Sequence, residues 1–483
     1  MASADKIELA YFVAPGTAAP VRSQLTLELA ETLKLAVPIV LTQLGQIAMM
    51  ATDLALIGRL GDEAVAAAAL ASTVFFISFT FGMGLVSAVA PLAAQAFGAR
   101  NPRMVRRSLR VGLWTALLIS APIMGIPLFG ERILLMLGQA PAAALLAQKY
   151  LLGLGWGLAP GLCFLAIRSF MGAVNRPEPG LWITLSAIPA NAVLVYLLIH
   201  GGMGLPRLGL LGAGIGTSVV NTAMCLAGLW FAQTCRPFRK YHVLGRFWRI
   251  DWLLMRQLII IGAPISMSFL LEYGLFGAAA LLMGLISTTA LAAHQIALQI
   301  TAILFMVPFG IGMAATVRVG HAVGRADAPA VKRAALVATL LGIVTVSAMT
   351  IAVVIGRFAI ARFFFGDAAD NVGTVIELTA SLLMVGATFF VADGIQTVAA
   401  GALRGLNDTR IPLLFAAVSY WLVGFTTAVG LAFWTDLGAI GVWVGLSCGT
   451  AVYAVLLLLR FRLLAQSLPL AMMRATSRRG QDA

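Results

Sequence analysis

The stretch LAVPIVLTQLGQIAMMATDLALIG, residues 35–58, recurs in altered form as IGAPISMSFLLEYGLFGAAALLMG at residues 261–284. The alignment places Pro38 over Pro264 and Gly58 over Gly284. Both stretches are long apolar runs that carry a proline near one end and a single acidic residue. The sequence therefore predicts a duplicated chain in which each half opens with an apolar helix.

Two further pairs of segments extend this duplication. QAFGARNPRMVRR at 95–107 matches HAVGRADAPAVKR at 321–333, with the same offset as the first pair. LGLLGAGIGTS at 208–218 matches LGAIGVWVGLS at 437–447. Chance rarely keeps proline, glycine and arginine in step over such distances, so we interpret the two halves as structural repeats.

The composition is that of a membrane protein. The 483 residues are 60% hydrophobic and 11% charged, with a mean hydropathy of +0.96, whereas soluble domains are about half apolar and about a quarter charged. A bilayer core of roughly 30 Å needs about 20 apolar residues per helix. The 49 glycines and 19 prolines suit packed, kinked membrane helices better than barrel strands. The predicted fold class is an all-α polytopic membrane protein.

Hydrophobic runs between breakers predict twelve transmembrane helices. They cover residues 33–57, 66–97, 109–130, 142–172, 180–200, 210–233, 253–283, 290–320, 334–356, 373–403, 411–433 and 439–463. Six helices fall in each repeat. Because six is even, both repeats enter the membrane in the same orientation, as two lobes related by a pseudo-two-fold axis along the membrane normal.

The charged loops predict the orientation. Arginine and lysine concentrate after helices 2, 6 and 8 and in the C-terminal tail, whereas the loop after helix 9 carries acids. The positive-inside rule then places both termini in the cytoplasm, in a bacterial inner membrane. The formal charge of +14 lies in these short loops, which argues against nucleic-acid binding.

The predicted domain organisation follows from these helices and loops. It comprises a cytoplasmic N-terminal segment (1–30), an N-lobe (31–235), a cytoplasmic inter-lobe loop (236–252), a C-lobe (253–465) and a basic cytoplasmic tail (466–483). The N-terminal segment lacks the apolar core of a signal peptide. The four cysteines are scattered without CxxC spacing and resemble small core hydrophobes.

Three acidic residues lie within predicted helices: Asp53 in helix 1, Glu272 in helix 7 and Asp393 in helix 10. An ionisable group at a helix centre costs at least about 2.5 to 3.5 kcal/mol on insertion, so such groups usually face a bundle interior or a water-filled cavity. The three acids are candidates for cation coupling, and Asp53 also for attracting substrate. The alternative is a polar core residue with satisfied hydrogen bonds.

The acids are distributed unequally between the repeats. Gln46 stands where the second repeat has Glu272, and Ala279 stands where the first has Asp53. Glu272 and Asp393 are predicted to share a proton or to bind Na⁺, since buried carboxylates couple to one another. Oxygen ligands for Na⁺ would come from these acids and from Gln396, Thr397 and Ser268.

Polar and soft apolar residues suggest a cavity for amphipathic organic cations, because aromatic rings and methionines offer adaptable surface. Candidate cavity residues are Asp53, Gln46, Tyr273, Phe276, His294, Gln295, Asn175, Asn191 and Phe389. For His294 a structural hydrogen-bonding role is an open alternative. No phosphate-binding G-x-x-x-x-G-K-[ST] motif occurs, so ATP-driven transport and enzymatic activity are not expected.

The chain resembles the multidrug and toxic compound extrusion (MATE) family, in its bacterial NorM-like branch. The resemblance rests on MMATDLALIGRLG at 49–61, LLEYGLFGAAALLMG at 270–284, ALAAHQIALQ at 290–299, VRVGHAVGRADA at 317–328 and VADGIQTVAAGALRGLNDTRIP at 391–412. It implies two six-helix lobes around a central V-shaped cavity and drug–cation antiport by alternating access. Asp53, Glu272 and Asp393 match the family's acids in helices 1, 7 and 10.

One position departs from the pattern of Na⁺-binding relatives. They carry an aromatic hydroxyl one turn before the tenth-helix acid, where this chain has Phe389. The departure favours H⁺ coupling or a recruited water. Asn175 and Asn191 are weaker matches to first-lobe polar positions.

The sequence thus predicts a secondary antiporter that exports organic cations in exchange for H⁺ or Na⁺. It is expected to act as a monomer among membrane lipids, with no cofactor besides the coupling ion. Two alternatives remain: a lipid-linked saccharide flippase of the same superfamily, which would need arginines facing its cavity, and a non-transporting membrane scaffold. Arg168, Arg318 and Arg404 near helix ends leave room for the flippase.

Overall fold

The computed structural model describes residues 21–201, 204, 206–245, 247–365 and 372–481, and within them it is helical without strands. In this part of the chain eleven helices are long and apolar enough to cross a membrane, and one bent pair counted as a single span makes twelve. The spans are numbered after the predicted helices. The prediction of an all-α membrane protein is confirmed.

Spans 1 to 6 occupy the first half. They are Val21–Gly58, Asp62–Ser87 continued by Val89–Gly98, Pro102–Leu128, the bent pair Pro141–Gly155 and Leu158–Ala173, Glu178–His200, and Gly209–Thr234. Short helices at Gly130–Met136 and Phe238–Tyr241 follow spans 3 and 6.

Spans 7 to 12 occupy the second half. They are Trp252–Ile286, Thr288–Gly324, Ala328–Phe365, Val372–Gly405, the segments Arg410–Ala416, Ala417–Phe425 and Thr426–Phe433 in succession, and Gly438–Gln481. The middle segment of span 11 is a π-helix. The helix of span 12 continues through most of the predicted tail.

The first span is longer than hydropathy predicted. It begins at Val21 instead of residue 33, so part of the predicted N-terminal segment, 21–30, is helical, and its remainder, 1–20, lies outside the described residues. Glu28 and Glu31, which interrupt the apolar run, are ion-paired with Arg318 of span 8 at 2.8 and 3.7 Å. Paired acids allow the helix to continue past the apolar segment.

Span 4 was predicted as one helix and is instead broken, with an angle of 44° between its two parts. Trp156 and Gly157 lie at the break, between Gly155 and Pro160. Proline and glycine are frequent causes of such kinks, because proline removes a backbone donor and glycine leaves room for a neighbour. A side chain at Gly157 would come within 2.8 Å of Ser218 Oγ in span 6.

Helices of the two halves cross at positions that are aligned in the two sequence repeats. A Cβ atom at Gly84 of span 2 would lie 2.3 Å from the backbone of Ser266 in span 7. The counterpart is Gly310 of span 8, whose Cβ would lie 3.0 Å from the backbone of Val40 in span 1. Gly310 is the repeat mate of Gly84, and Ser266 is the mate of Val40, so one approach is repeated on the two sides of a pseudo-two-fold axis.

A second pair of crossings follows the same rule. A Cβ at Gly98 would lie 2.2 Å from the His321 carbonyl oxygen, and a Cβ at Gly324 would lie 2.1 Å from the Gln95 carbonyl oxygen. Helices in membranes associate largely through such close packing at small residues, because lipid tails are as apolar as the side chains. The glycines therefore allow the two halves to touch backbone to backbone.

The turns repeat as well. Arg100 and Ala326, which follow spans 2 and 8, have φ angles of 54° and 57°. Asn175 and Asn407, which follow spans 4 and 10, have φ angles of 63° and 60°. Asparagine tolerates this left-handed region better than most residues. Asn175 thus lies in a turn, and the turn geometry accounts for its residue type without a bound substrate.

The two halves are latched together at the end of the bundle that carries the basic loops, called here the basic end. Arg318 donates from Nε and Nη2 to the two carboxylate oxygens of Glu28, both at 2.8 Å. His321 Nε2 lies 2.7 Å from the Ala173 carbonyl oxygen, and Gln95 Nε2 donates to the Gly405 carbonyl at 2.8 Å. These contacts join the halves directly, so this side of the interface is closed.

The link between the halves is held by Asp251, which caps span 7 by accepting from the Leu254 N–H and pairs with Arg107 at the start of span 3. Burial would raise the pKa of the Asp251 carboxyl, but the Arg107 guanidinium and the Leu254 N–H together hold that pKa below its usual value. The loop is thereby tied to the first half.

Gly84→Ala tests the crossing of spans 2 and 7. The added methyl would overlap the Ser266 backbone, and overpacking of this kind typically costs about 1–3 kcal/mol. We expect a lower midpoint of thermal unfolding in detergent. Gly125→Ala, in span 3, is the control because a Cβ there meets no atom within 4 Å. Equal unfolding midpoints for the two variants would contradict the close approach of Gly84 to the Ser266 backbone.

Candidate ion and substrate site

Two of the three predicted acids meet through one amide. Gln396 Nε2 donates to Glu272 Oε1 at 3.0 Å and to Asp393 Oδ1 at 2.7 Å. Glu272 comes from span 7, whereas Asp393 and Gln396 lie one turn apart on span 10. Asp393 and Gln396 are buried, and Glu272 is partly buried. The arrangement leaves the second oxygen of each carboxylate without a bond to this amide.

The Gln396 amide contacts Tyr420 on its other side. The Tyr420 hydroxyl, from the π-helical segment of span 11, donates to Gln396 Oε1 at 2.5 Å. The amide oxygen is therefore occupied and the nitrogen faces the acids. Gln396 presents to the acids a donor nitrogen and not the oxygen ligand that the sequence suggested. Ser268, another suggested ligand, donates to the Pro264 carbonyl of its own helix.

Asp393 also borders a small cavity on the side of span 8. Thr301, Phe305 and Pro308 of span 8 and Phe390 of span 10 line it with the acid. This space of about 10 Å³ is no larger than one water molecule. Asp393 therefore faces the interior of the helix bundle, where ionisable groups in membrane helices are usually found.

A second group of residues, mostly aromatic, packs together between spans 7, 8, 10 and 12. The ring of Phe389 is buried and contacts Phe276 and Trp443 edge-on, each with centroids 5.9 Å apart. Trp443 Nε1 donates to His294 Nδ1 at 3.1 Å. His294 and Phe389 therefore belong to the interior of the second half. The hydrogen bond of His294 agrees with the structural alternative for this residue.

Asp53 lies in a separate polar cluster in the first half. It is buried, with 8% of its surface exposed. Its Oδ1 accepts from Asn191 of span 5, and its Oδ2 accepts from the Thr217 hydroxyl of span 6 at 3.0 Å. Two donors hold the carboxylate in place, and one of them, Asn191, is itself a candidate cavity residue from the sequence.

The remaining candidates are dispersed. Gln46 accepts a hydrogen bond from Arg168 Nη1 at 3.3 Å. The ring of Tyr273 contacts Phe76 of span 2, with centroids 5.1 Å apart, across the boundary between the halves. Gln295 is exposed. None of these three hydrogen-bonds to an acid of the two clusters among the described residues.

Two members of the clusters were missed by sequence reasoning, namely Thr217 and Tyr420. Both are hydroxyl-bearing residues in apolar runs, and such residues are common in membrane helices, where most donate to a carbonyl of their own helix. Thr217 does this as well, to the Ala213 carbonyl at 3.1 Å. A buried tyrosine needs a partner for its hydroxyl, so Tyr420 is the one of the two that the sequence could have indicated.

Comparison with known proteins assigns the family. The MatE family model matches residues 38–197 and 264–429, two segments that begin at the aligned prolines of the repeats. The chain is 66% identical to the probable multidrug resistance protein NorM of Bradyrhizobium diazoefficiens over 441 residues, covering 91% of this chain and 94% of that protein. It is 58% identical to the protein of the same name from Rhodopseudomonas palustris, covering 94% and 96%.

A solved structure shows the same fold. The eukaryotic MATE transporter AtDTX14 superimposes with a TM-score of 0.83 at 21% identity, covering 93% of this chain and 99% of that one. The protein is a multi-pass membrane transporter and not an enzyme. It belongs to the MATE family, as the sequence motifs indicated.

Thr217→Val tests whether the hydrogen bond from the Thr217 hydroxyl to Asp53 stabilises the protein. The substitution keeps the shape and removes a donor from a buried carboxylate, which costs about 1–3 kcal/mol. We expect a lower unfolding midpoint than for Thr222→Val, because Thr222 of the same span donates only to the Ser218 carbonyl of its own helix. When Asp53→Leu is also present, Thr217→Val and Thr222→Val should lower the unfolding midpoint by the same amount. A difference that persists there would show that Thr217 acts independently of Asp53.

Proposed function

We propose that this transporter exports amphipathic organic cations in exchange for inward movement of H⁺. The proposal depends above all on one observation, the shared hydrogen bonding of Glu272 and Asp393 to the single amide of Gln396. Two relatives bear the name probable multidrug resistance protein NorM, which agrees with drug efflux.

The acid pair has the properties of a proton site. Two carboxylates close together in a low-dielectric interior repel each other, so the pair gains from taking up one proton. The Gln396 amide supplies a donor to each acid, and each acid retains one oxygen for a proton. Phe389 offers no oxygen, and Gln396 turns its nitrogen towards the acids. These features favour H⁺ over Na⁺, because Na⁺ as a hard cation prefers several oxygen ligands.

Asp53 is proposed to attract the cationic substrate. It lies in the first half and is held at a fixed position by its own donors, Asn191 and Thr217. Soft surface is available nearby on span 1, where Met50 is 59% exposed one turn before the acid. An aromatic pair, Phe76 and Tyr273, lies at the boundary between the halves, where rings can meet cations face-on.

Alternating access would proceed by opening and closing the interface between the halves. With the latch of Glu28, Arg318 and His321 made, the basic end is closed, and the positive-inside rule assigns that end to the cytoplasm. The described state would then face outward, in a bacterial inner membrane with both termini inside. Proton binding at the acid pair and substrate binding at Asp53 would bias one shared equilibrium in opposite directions, which is thermodynamic linkage.

A lipid-linked saccharide flippase is less well supported, because an anionic pyrophosphate needs free cations. Arg318 is paired with Glu28. Arg404 places its guanidinium carbon 4.8 Å from the ring centroid of Phe269 and attracts Glu272 electrostatically. Arg168 is buried beside Gln46. A scaffold that transports nothing would leave the buried acid pair without a use.

Replacing both acids, Glu272→Gln with Asp393→Asn, tests the proton site. We expect ethidium uptake into everted membrane vesicles with an acidic interior to fall at least tenfold, because neither side chain can then exchange a proton. Asp62→Asn is the matched control, since this acid lies exposed in the first turn of span 2. Full gradient-driven uptake by the double variant would exclude the proposed site.

The coupling ion is tested with purified protein in proteoliposomes. Imposed H⁺ and Na⁺ gradients are applied separately, and ethidium movement is followed by fluorescence. We expect the proton gradient alone to drive transport and the sodium gradient alone to have no effect. Transport driven by sodium at constant pH would reverse the assignment.

A further inference from the structure

The Gln396 amide lies between the Tyr420 hydroxyl and the acid pair. A primary amide carries two donors on its nitrogen and an acceptor oxygen, and rotation about its last bond exchanges them. Here the oxygen accepts from Tyr420 at 2.5 Å, and the nitrogen donates to Glu272 and Asp393 at 3.0 and 2.7 Å. The two bonds to the carboxylates require the observed orientation, because an ionised carboxylate only accepts. The bond to Tyr420 supports the same orientation as long as its hydroxyl is the donor.

The position of Tyr420 depends on the π-helix of span 11. The segment Ala417–Phe425 interrupts the α-helix on both sides, and Tyr420 lies in it, 2% exposed. Insertions of this kind are frequent at functional sites, because they turn a side chain away from its α-helical direction. The ring packs against Tyr453 of span 12, with centroids 5.1 Å apart at 61°. Neighbouring helices thus hold the hydroxyl against the amide.

The orientation matters for a cation that arrives at the acids. With its nitrogen forward, Gln396 presents partial positive charge to the space beside both carboxylates. With its oxygen forward, it would add a neutral oxygen ligand to the carboxylate oxygens already there, as hard cations require. A proton needs only one carboxylate oxygen, so the observed orientation disfavours Na⁺ without impeding H⁺.

We propose that Tyr420 is a specificity-determining residue for the coupling ion, because it locks Gln396 with its nitrogen towards Glu272 and Asp393 and so excludes Na⁺. This inference rests on the proposed function in one respect, namely that these two acids bind the coupling cation. Tyr420 acts through Gln396 and is a positioning residue. Removing its hydroxyl takes away the donor to Oε1, so that the amide can rotate and offer Oε1 when a cation replaces its bonds to the two acids.

The test measures binding of ²²Na⁺ to the purified full-length protein in detergent. Tyr420→Phe should bind Na⁺ at least tenfold more tightly than the unaltered protein. Tyr453→Phe is the matched control: it removes a buried tyrosine hydroxyl from the same cluster, but that hydroxyl faces Ser268 and not Gln396. Its Na⁺ affinity should stay unchanged. Equal affinities for the two variants would overturn the proposal.

A double variant separates the amide from other effects of the hydroxyl, which also lies beside Glu272. In Tyr420→Phe with Gln396→Leu, the gain in Na⁺ affinity should vanish, because the rotating oxygen is gone. If the double variant keeps the gain in Na⁺ affinity, the hydroxyl acts on Glu272 directly, and the proposed role of Gln396 is overturned. Should Tyr420→Phe fail to fold, Gln396→Glu serves instead. It replaces the nitrogen by an oxygen while Tyr420 remains, and absence of Na⁺ binding would count against the proposal.

The same preparations distinguish this inference from the proposed function. Proteoliposomes of the unaltered protein report proton-driven ethidium transport, which does not depend on Na⁺ binding. If the unaltered protein shows proton-driven transport but Tyr420→Phe and Tyr453→Phe bind Na⁺ equally well, only the proposed role of Tyr420 is refuted. Absence of proton-driven transport refutes the proposed coupling to H⁺. A rise in Na⁺ affinity that is specific to Tyr420→Phe would still support the proposal that Tyr420 positions Gln396 at this acid pair.

Discussion

The fold depends on glycines that allow helices of the two halves to approach backbone to backbone. At Gly84, Gly98 and Gly324 a Cβ atom would lie within 2.3 Å of the opposing chain. In a bilayer, apolar side chains gain little by leaving lipid for protein, so helix association relies on close packing and on polar contacts. These crossings supply the close packing, and because each recurs at the matching positions of the other repeat, they also define the pseudo-two-fold axis.

Chemical asymmetry is built on this symmetric frame. Ala279, the repeat mate of Asp53, is buried in the apolar core of the second half. Gln46, the mate of Glu272, bonds Arg168, whereas Glu272 itself bonds an amide shared with Asp393. In the proposed cycle the backbone symmetry would let both halves move as similar bodies. The unequal side chains would let one half handle the coupling ion and the other the substrate.

The acid clusters also differ in how they are held. Asp53 has one donor on each carboxylate oxygen, and the two donors come from two neighbouring helices. Glu272 and Asp393 share one amide, whose oxygen accepts a hydrogen bond from Tyr420 of a third helix. Networks of this kind respond as a unit, because the loss of one bond alters the geometry of the others. Span 11 is thereby connected to spans 7 and 10 at the candidate ion site.

The sequence by itself determined the membrane class, the succession of helices, the duplication and the positions of the three acids. These follow from local properties: hydropathy over about 20 residues, the spacing of Pro and Gly, and the cost of an acid in lipid. Only the tertiary structure decided which residues meet those acids. Thr217 donates to Asp53 from a helix remote in the chain, and Tyr420 donates to Gln396 from the next helix. His294 accepts from Trp443, and the Gln396 amide turns its nitrogen towards the acids. The reason is that hydrogen bonds between helices depend on the rotation and depth of each helix, which packing against its neighbours sets and a one-dimensional pattern does not contain.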